Sequence, residues 1–183
     1  MTVAEFLAWE ERQELRYEFD GFQPVAMPEG TVLHEIIGDT LRGLLREHLR
    51  GKPCRSLGPT MKIEVAGRIR YPDAFVYCTP AAFNETVIKN PVVVFEVLSP
   101  GTSRTDRIEK LREYQATASI QRYIILEQDS IAAMVFARHG PDWTVRALTA
   151  ADVLDMPEID VALPLLDIYA DTGLTPEDGV VAG

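Results

Sequence analysis

Pro91-Val92-Val93-Val94-Phe95-Glu96-Val97-Leu98 is an apolar run with one carboxylate planted in it. It reads as a buried β-strand, introduced by the Asn90-Pro91 boundary. An ionised carboxylate in such surroundings costs several kcal/mol unless a partner compensates, in practice often through a shifted pKa. A bound cation is the most economical compensation for Glu96. A second carboxylate, Asp73, lies in another strand-like run, Arg68-Ile69-Arg70-Tyr71-Pro72-Asp73-Ala74-Phe75-Val76-Tyr77-Cys78. Two carboxylates brought together on neighbouring strands are the ingredients of a divalent-metal site.

Working outward, Thr2 and Glu5 have the capping-box spacing ahead of a short amphipathic helix begun by Val3, Phe6 and Leu7. Asp20-Gly21 predicts a two-residue turn between strands at 16–19 and 22–27. After Pro28-Glu29-Gly30 a helix opens near Thr31. Its apolar stripe runs from Leu33 through Ile36, Ile37, Leu41, Leu44, Leu45 and His48 to Leu49 and stops before Gly51-Lys52-Pro53. Strands follow at about 54–57, 60–65 and 68–78. Ser99-Pro100-Gly101-Thr102 breaks the Glu96 strand, and a helix is expected from about 104 to 118. Arg122 to Leu126 reads as a buried strand. A hairpin is expected to cross His139-Gly140-Pro141-Asp142. The order predicts an α/β (mixed α+β) fold, one mixed sheet covered by helices, in a single domain over residues 1–170. Residues 171–183 are poor in core formers and are expected to form a flexible tail.

The 183-residue chain is long enough to bury about two thirds of its unfolded surface. It has 46% hydrophobic and 25% charged residues, as soluble globular proteins do. No apolar run approaches the roughly 18 residues of a membrane span, and the N-terminus lacks the pattern of a signal peptide. Cys54 and Cys78 have no metal-ligand spacing and are expected to be reduced thiols, which with the rest predicts a cytoplasmic protein. The net charge of −10 is unevenly spread. Through Arg122 there are 16 basic and 17 acidic residues; beyond it, 2 and 11. A near-neutral first part can carry a local basic face, and Arg104, Arg107, Lys110 and Arg112 cluster there, so charge neither supports nor excludes DNA.

Tyr71-Pro72-Asp73, followed by Val94-Phe95-Glu96-Val97-Leu98, resembles the Pro-Asp … (Asp/Glu)-x-Lys signature of the restriction-endonuclease-like superfamily. Within it the chain resembles the Uma-two family over roughly residues 4 to 169. The resemblance includes Tyr17-Glu18-x-Asp20-Gly21, His34, Glu96-Val97-x-Ser99-Pro100 and Asp106-x-x-x-Lys110-x-x-x-Tyr114. It implies a restriction-endonuclease-like core, a mixed sheet flanked by helices, with an N-terminal helix-hairpin and a C-terminal hairpin added. The superfamily lysine belongs two positions after the acid, where this chain has Leu98. The family resembles a variant that takes the lysine from the next helix, where Lys110 stands. Asp106, Lys110 and Tyr114 are four apart and share a helix face. Lys110 therefore either reaches the carboxylate pair or pairs with Asp106 at the surface.

The resemblance implies a metal-dependent endonuclease that hydrolyses DNA phosphodiester bonds. Asp73, Glu96 and the backbone carbonyl of Val97 are oxygen ligands suited to Mg²⁺ or Mn²⁺. Lys110 is placed to orient the attacking water or to stabilise the developing charge. Glu18 is either an added ligand or a solvent-exposed hairpin carboxylate, and His34 is either an active-site or a partly buried structural residue. His48 is expected to be structural and His139 to lie in a loop; the Arg42, Arg46 and Arg50 row either faces phosphate or is solvated. A homodimer is expected by analogy with relatives that cut duplex DNA. Two alternatives stay open: an inert nuclease-fold binding module, kept alive by Leu98, and a metal-dependent hydrolase of a non-DNA substrate.

Overall fold

Thr2 closes the first helix as its spacing predicts. Its hydroxyl accepts from Glu5 N–H, and the Glu5 carboxylate accepts from Thr2 N–H at 2.7 Å, opening α1 (Val3–Glu10). The computed structural model describes residues 1–27, 30–98 and 104–176, without the side chains of 104–106. The expected breaks at Pro28-Glu29 and at Ser99 to Thr102 lie outside the described residues, as does the Asp106 side chain.

Strands β1 (Tyr17–Phe19) and β2 (Pro24–Ala26) form the first hairpin. Phe19 pairs with Pro24, so four residues separate the strands where a two-residue turn was expected. The cause is Asp20, whose carboxylate accepts both Phe22 N–H and Gln23 N–H at 2.8 Å, with Gly21 at φ +93° between them. Thr31 caps α2 (Val32–His48), which buries Ile37, Leu41 and Leu45 on one stripe.

β3 (Arg55–Leu57), β4 (Lys62–Val65), β5 (Arg68–Arg70) and β6 (Ala74–Tyr77) follow. The single strand expected over 68–78 is two strands in different sheets. Pro72 has no N–H to donate, and Tyr71 N–H goes to the Glu18 carboxylate at 3.1 Å, so the ladder stops there. β7 (Val87–Ile88), β8 (Pro91–Val97), α3 (Arg104–Ala116), β9 (Arg122–Leu126), β10 (Ala132–His139) and β11 (Asp142–Thr149) come next. The last two form the expected hairpin, with His139 opposite Asp142. A small hairpin of β12 (Val153–Met156) and β13 (Val161–Pro164) and a final turn, α4 (Leu165–Ile168), end the fold.

The strands make a six-stranded sheet, order β11-β10-β9-β8-β6-β3, a five-stranded sheet, order β2-β1-β5-β4-β7, and a two-stranded sheet, β12-β13. Both large sheets are mixed, with β8·β9 and β4·β7 parallel. The fold is thus α/β with helices against mixed sheets, but the expected single sheet is divided at Tyr71-Pro72-Asp73. Strand β8 is buried on both faces, which explains its nearly unbroken apolar sequence. Val93, Phe95 and Val97 face the cluster built on α2, β12, β13 and α4. Val94 and Leu98 face the cluster of Tyr114, Tyr123, Ile63 and Val65. By the two-residue period of a strand, Glu96 enters this second cluster. Leu174 packs on the first cluster, while 177–183 of the expected tail lie outside the described residues.

The reduced-thiol reading is corrected, because Cys54 and Cys78 form a disulfide. The β3·β6 register pairs Arg55 with Tyr77, and one step further along brings Cys54 beside Cys78. The thiols therefore give no argument for a reducing compartment. Among the described residues no helix is long and apolar enough to cross a membrane.

Candidate active site

The division between the sheets is what builds the site. β5 ends in the five-stranded sheet, the chain crosses at Tyr71-Pro72-Asp73, and β6 starts in the six-stranded one. β6 runs antiparallel to β8 with Ala74 opposite Phe95, so Asp73 arrives alongside Glu96 and Val97. Val97 N–H donates to Asp73 Oδ2 at 2.7 Å, locking the carboxylate to the end of β8. His34, in the first turn of α2, places Nε2 3.3 Å from the same oxygen. Arg42, two turns further on, donates to the Asp73 carbonyl at 3.2 Å. It passes so close to Gly58 that a Cβ there would lie 2.6 Å from Arg42 Cδ. Arg46 and Arg50 are exposed, so of that row Arg42 alone turns toward the carboxylates. His48 is exposed with Nδ1 2.9 Å from the Leu44 carbonyl, and His139 is exposed at the end of β10.

Lys110 reaches the carboxylates from α3. Its Nζ lies 3.4 Å from Glu96 Oε1 and 3.4 Å from Glu18 Oε1. One turn on, the Tyr114 hydroxyl donates to Glu96 Oε1 at 2.7 Å. The spacing of four between Lys110 and Tyr114 thus points both side chains at one carboxylate. Glu18 is buried, and so does not follow the solvent-exposed alternative for a hairpin residue. All five expected residues, Glu18, His34, Asp73, Glu96 and Lys110, belong to one connected set.

Sequence reading missed the support behind Glu18. Arg70, 2% exposed, donates from Nη1 to Glu18 at 2.9 Å, and from Nε and Nη2 to Glu113 at 2.7 and 2.6 Å. A chain of alternating charge therefore runs Glu113, Arg70, Glu18, Lys110, Glu96. Arg68 and Arg70 alternate with Ile69 as an exposed strand face would, which hid the network. The one available signal was Glu113, three residues after Lys110 and hence on a neighbouring part of the same helix face. A second support joins α1 to the crossover, where the Tyr71 hydroxyl donates to Glu10 at 2.5 Å and Lys62 lies 2.7 Å from Glu10.

Burial pushes the Glu96 carboxyl up to about 7, with Lys110 opposing and the negative charges of Asp73 and Glu18 adding to the rise. Burial also acts to raise Glu18, but Lys110, Arg70 and the Tyr71 N–H outweigh it and hold Glu18 below the ordinary carboxylate range. The hydrogen bond to Asp73 raises His34, against the effect of burial. Burial and Glu96 raise Tyr114 well above an ordinary phenol, so it stays a hydrogen-bond donor.

The Glu96 shift has a consequence for stability. Because the folded-state value lies above the ordinary 4.5, Glu96 favours folding fully below pH 4.5. That contribution is lost as pH rises to about 7 and the buried anion forms. In chelator, Glu96→Gln should therefore be more stable than the native protein by about 3 kcal/mol at pH 8, and equal to it near pH 4.5. Urea unfolding at the two pH values measures this. A variant less stable than native at pH 8 would mean that Lys110 and Tyr114 compensate the anion fully.

The donor chemistry suits a hard divalent cation. Asp73, Glu96 and the Val97 carbonyl offer oxygen only, and the raised Glu96 shows that the nearby cations leave its charge under-compensated. Among the described residues no three His, Cys, Asp or Glu side chains gather as a ligand cluster. Mg²⁺ is commonly held by one or two carboxylates with several waters retained, so a carboxylate pair meets its needs.

The chain is similar to known proteins over most of its length. Residues 3–165 match the family Uma2, described as "Putative restriction endonuclease". An uncharacterized protein of Synechocystis sp., slr1290, is 32% identical over 173 residues, covering 92% of this chain and 91% of that one. The crystal structure of a protein from Anabaena variabilis, described as a "putative nuclease belonging to DUF820", superposes with a TM-score of 0.78. It covers 93% of this chain and 98% of that one at 16% identity, a likeness of fold. With the family match extending from α1 to α4 and the Pro-Asp crossover, Glu96 and Lys110 converging within it, the chain belongs to the Uma2 family.

Proposed function

We propose that this protein is a metal-dependent endonuclease that hydrolyses DNA phosphodiester bonds. The observation that carries the reading is Lys110, which comes from the helix after β8 and lies beside Glu96 although Leu98 occupies the usual lysine position. Asp73, Glu96 and the Val97 carbonyl would hold Mg²⁺ or Mn²⁺. Such an ion, when bound, neutralises phosphoryl charge and lowers the pKa of its water. Lys110 donates to the attacking water or to a phosphate oxygen, and Glu18 holds it in place from the far side. Tyr114 fixes the Glu96 rotamer, and His34 with Val97 N–H fixes Asp73. A homodimer would present two such sites to the two strands of a duplex.

Nicking of supercoiled plasmid tests the proposal. Native protein should nick in Mg²⁺ or Mn²⁺ and stop in chelator. Lys110→Ala should lose about 10²–10³-fold in rate, the typical loss when one charge-stabilising donor is removed. Its metal affinity, measured by calorimetry, should stay close to native. Cleavage by Lys110→Ala at the native rate would remove this residue from the mechanism. A second reading, a non-cutting module, is favoured by Leu98, which is buried in the apolar cluster beside Glu96. It predicts metal binding without nicking. DNA affinity that is flat against salt would instead point to a different substrate.

A further inference from the structure

His34, Gly38 and Arg42 are four apart on α2 and therefore share one face of that helix. Its two side chains hold opposite ends of a single residue. His34 Nε2 lies 3.3 Å from the Asp73 carboxylate, and Arg42 Nη1 donates to the Asp73 carbonyl at 3.2 Å. That carbonyl lies just past the β3·β6 ladder, which ends with Leu57 opposite Phe75. Pro59, which follows on the β3 side, has no N–H with which to extend the ladder. The donor comes from α2 instead.

Two glycines leave the room that Arg42 occupies. A Cβ on Gly38 would lie 2.9 Å from Arg42 Nη1, and its three nearest atoms would all belong to that guanidinium. A Cβ on Gly58 would lie 2.6 Å from Arg42 Cδ and 3.4 Å from the Asp73 carbonyl oxygen. The Arg42 side chain is thus threaded between α2 and the residue after β3, with 19% of its surface exposed. Its outer nitrogen, Nη2, has looser contacts, 3.5 Å to Asp39 and 3.9 Å to Glu35. Both acids are exposed, and such surface pairs contribute little. The shorter contact is the inward one, to Asp73.

We infer that Arg42 is a positioning residue, which fixes the backbone of Asp73 and thereby holds its carboxylate against Val97 N–H. The carbonyl and the carboxylate hang from one Cα, so releasing the first lets the residue rotate and moves the second. The consequence for metal binding rests on the reading of Asp73 as a ligand, whereas the positioning itself does not.

Amide exchange at Val97, whose N–H donates to Asp73 Oδ2, tests this with no metal present. Arg42→Met keeps the apolar stem and removes the guanidinium. It should speed exchange at Val97 by about tenfold or more, and leave Val93 to Phe95 on the same strand near native. Mn²⁺ affinity, measured by calorimetry, should fall by about 10–100-fold, the usual loss when a partner one step removed from the metal is taken away. Gly38→Ala repeats the test with Arg42 still in the chain. Its methyl displaces the guanidinium, but alanine favours a helix over glycine, so both effects should appear with an undiminished melting temperature. Should Arg42→Met fail to fold, Gly38→Ala decides. Native exchange at Val97 in a folded variant overturns the inference, and so does exchange that rises equally along β8, the mark of general loosening. Native Mn²⁺ affinity in both variants overturns it as well. A native protein that binds no Mn²⁺ while Val97 still responds would remove the metal reading and leave Arg42 as the residue that positions Asp73.

Discussion

Glu96→Ala and Asp73→Ala are each expected to lower Mg²⁺-dependent plasmid nicking by more than about 10²-fold, because loss of an outer-shell partner alone costs about 10–100-fold. The two variants should fail in different ways. Glu96 is held by Tyr114 and Lys110, and its removal leaves the β6–β8 junction intact. Asp73 accepts Val97 N–H and faces His34, so Asp73→Ala also frees the end of β8. Asp73→Asn, which can still accept from Val97, separates lost charge from lost structure. Glu96→Gln does the same for the other carboxylate, since it keeps an acceptor for Tyr114 and should fold more stably than native at pH 8. Calorimetry on the amide variants should show Mg²⁺ binding weakened in parallel with nicking. Native cleavage by a folded Glu96→Gln would falsify the metal site, however well the family resemblance holds.

Glu96 was legible before the fold was known because it breaks a local rule, while Glu18, His34 and Lys110 were marked by the family resemblance. A carboxylate between Val94-Phe95 and Val97-Leu98 conflicts with burial, and a lysine and a tyrosine four apart on the next helix are explicable once they share a target. Pro72 was equally visible, but its consequence was not. A strand read over 68–78 spans both sides of a proline that ends one sheet and starts another, and local propensity does not say which sheet a strand joins. The hairpin loop at Asp20 grew from two to four residues because one side chain outcompeted the backbone turn. The segment from 150 to 170 is acidic, with Asp152, Asp155, Glu158, Asp160 and Asp167 and no basic residue. Yet Leu154, Met156, Val161, Leu163 and Ile168 close the cluster under α2. Their alternation with Asp155, Ala162 and Pro164 was a period-two signal hidden by charge. The disulfide depended on the β3·β6 register, which exists only once both strands are placed.

Arg70→Met should be the most destabilising single change near the site, by about 3–5 kcal/mol, the usual result of removing one partner from a buried ion pair. Methionine fills much of the space, so the loss is electrostatic. Glu113 would lose a bidentate partner, and Glu18 would lose its closest cation. Some compensation remains from Arg68, 3.0 Å from Glu113, and from Lys110, 3.4 Å from Glu18. Neither gives Glu18 the short, buried contact that Arg70 supplies. The pH dependence distinguishes this from simple loss of packing. Glu18 lies below its ordinary value in the native fold, so its contribution is present above pH 4.5 and is lost as pH falls through the depressed value. Removing Arg70 weakens that contribution, and the gap between variant and native should narrow toward low pH, where Glu18 protonates. Urea unfolding at neutral and acidic pH reads out both the size and the narrowing. A gap of the same size at both would assign the loss to packing. Arg70→Met/Glu113→Met should recover part of the lost stability, because it removes a carboxylate together with its cation. Nicking should not recover with it, since Glu18 would still lack the anchor that holds Lys110 against Glu96.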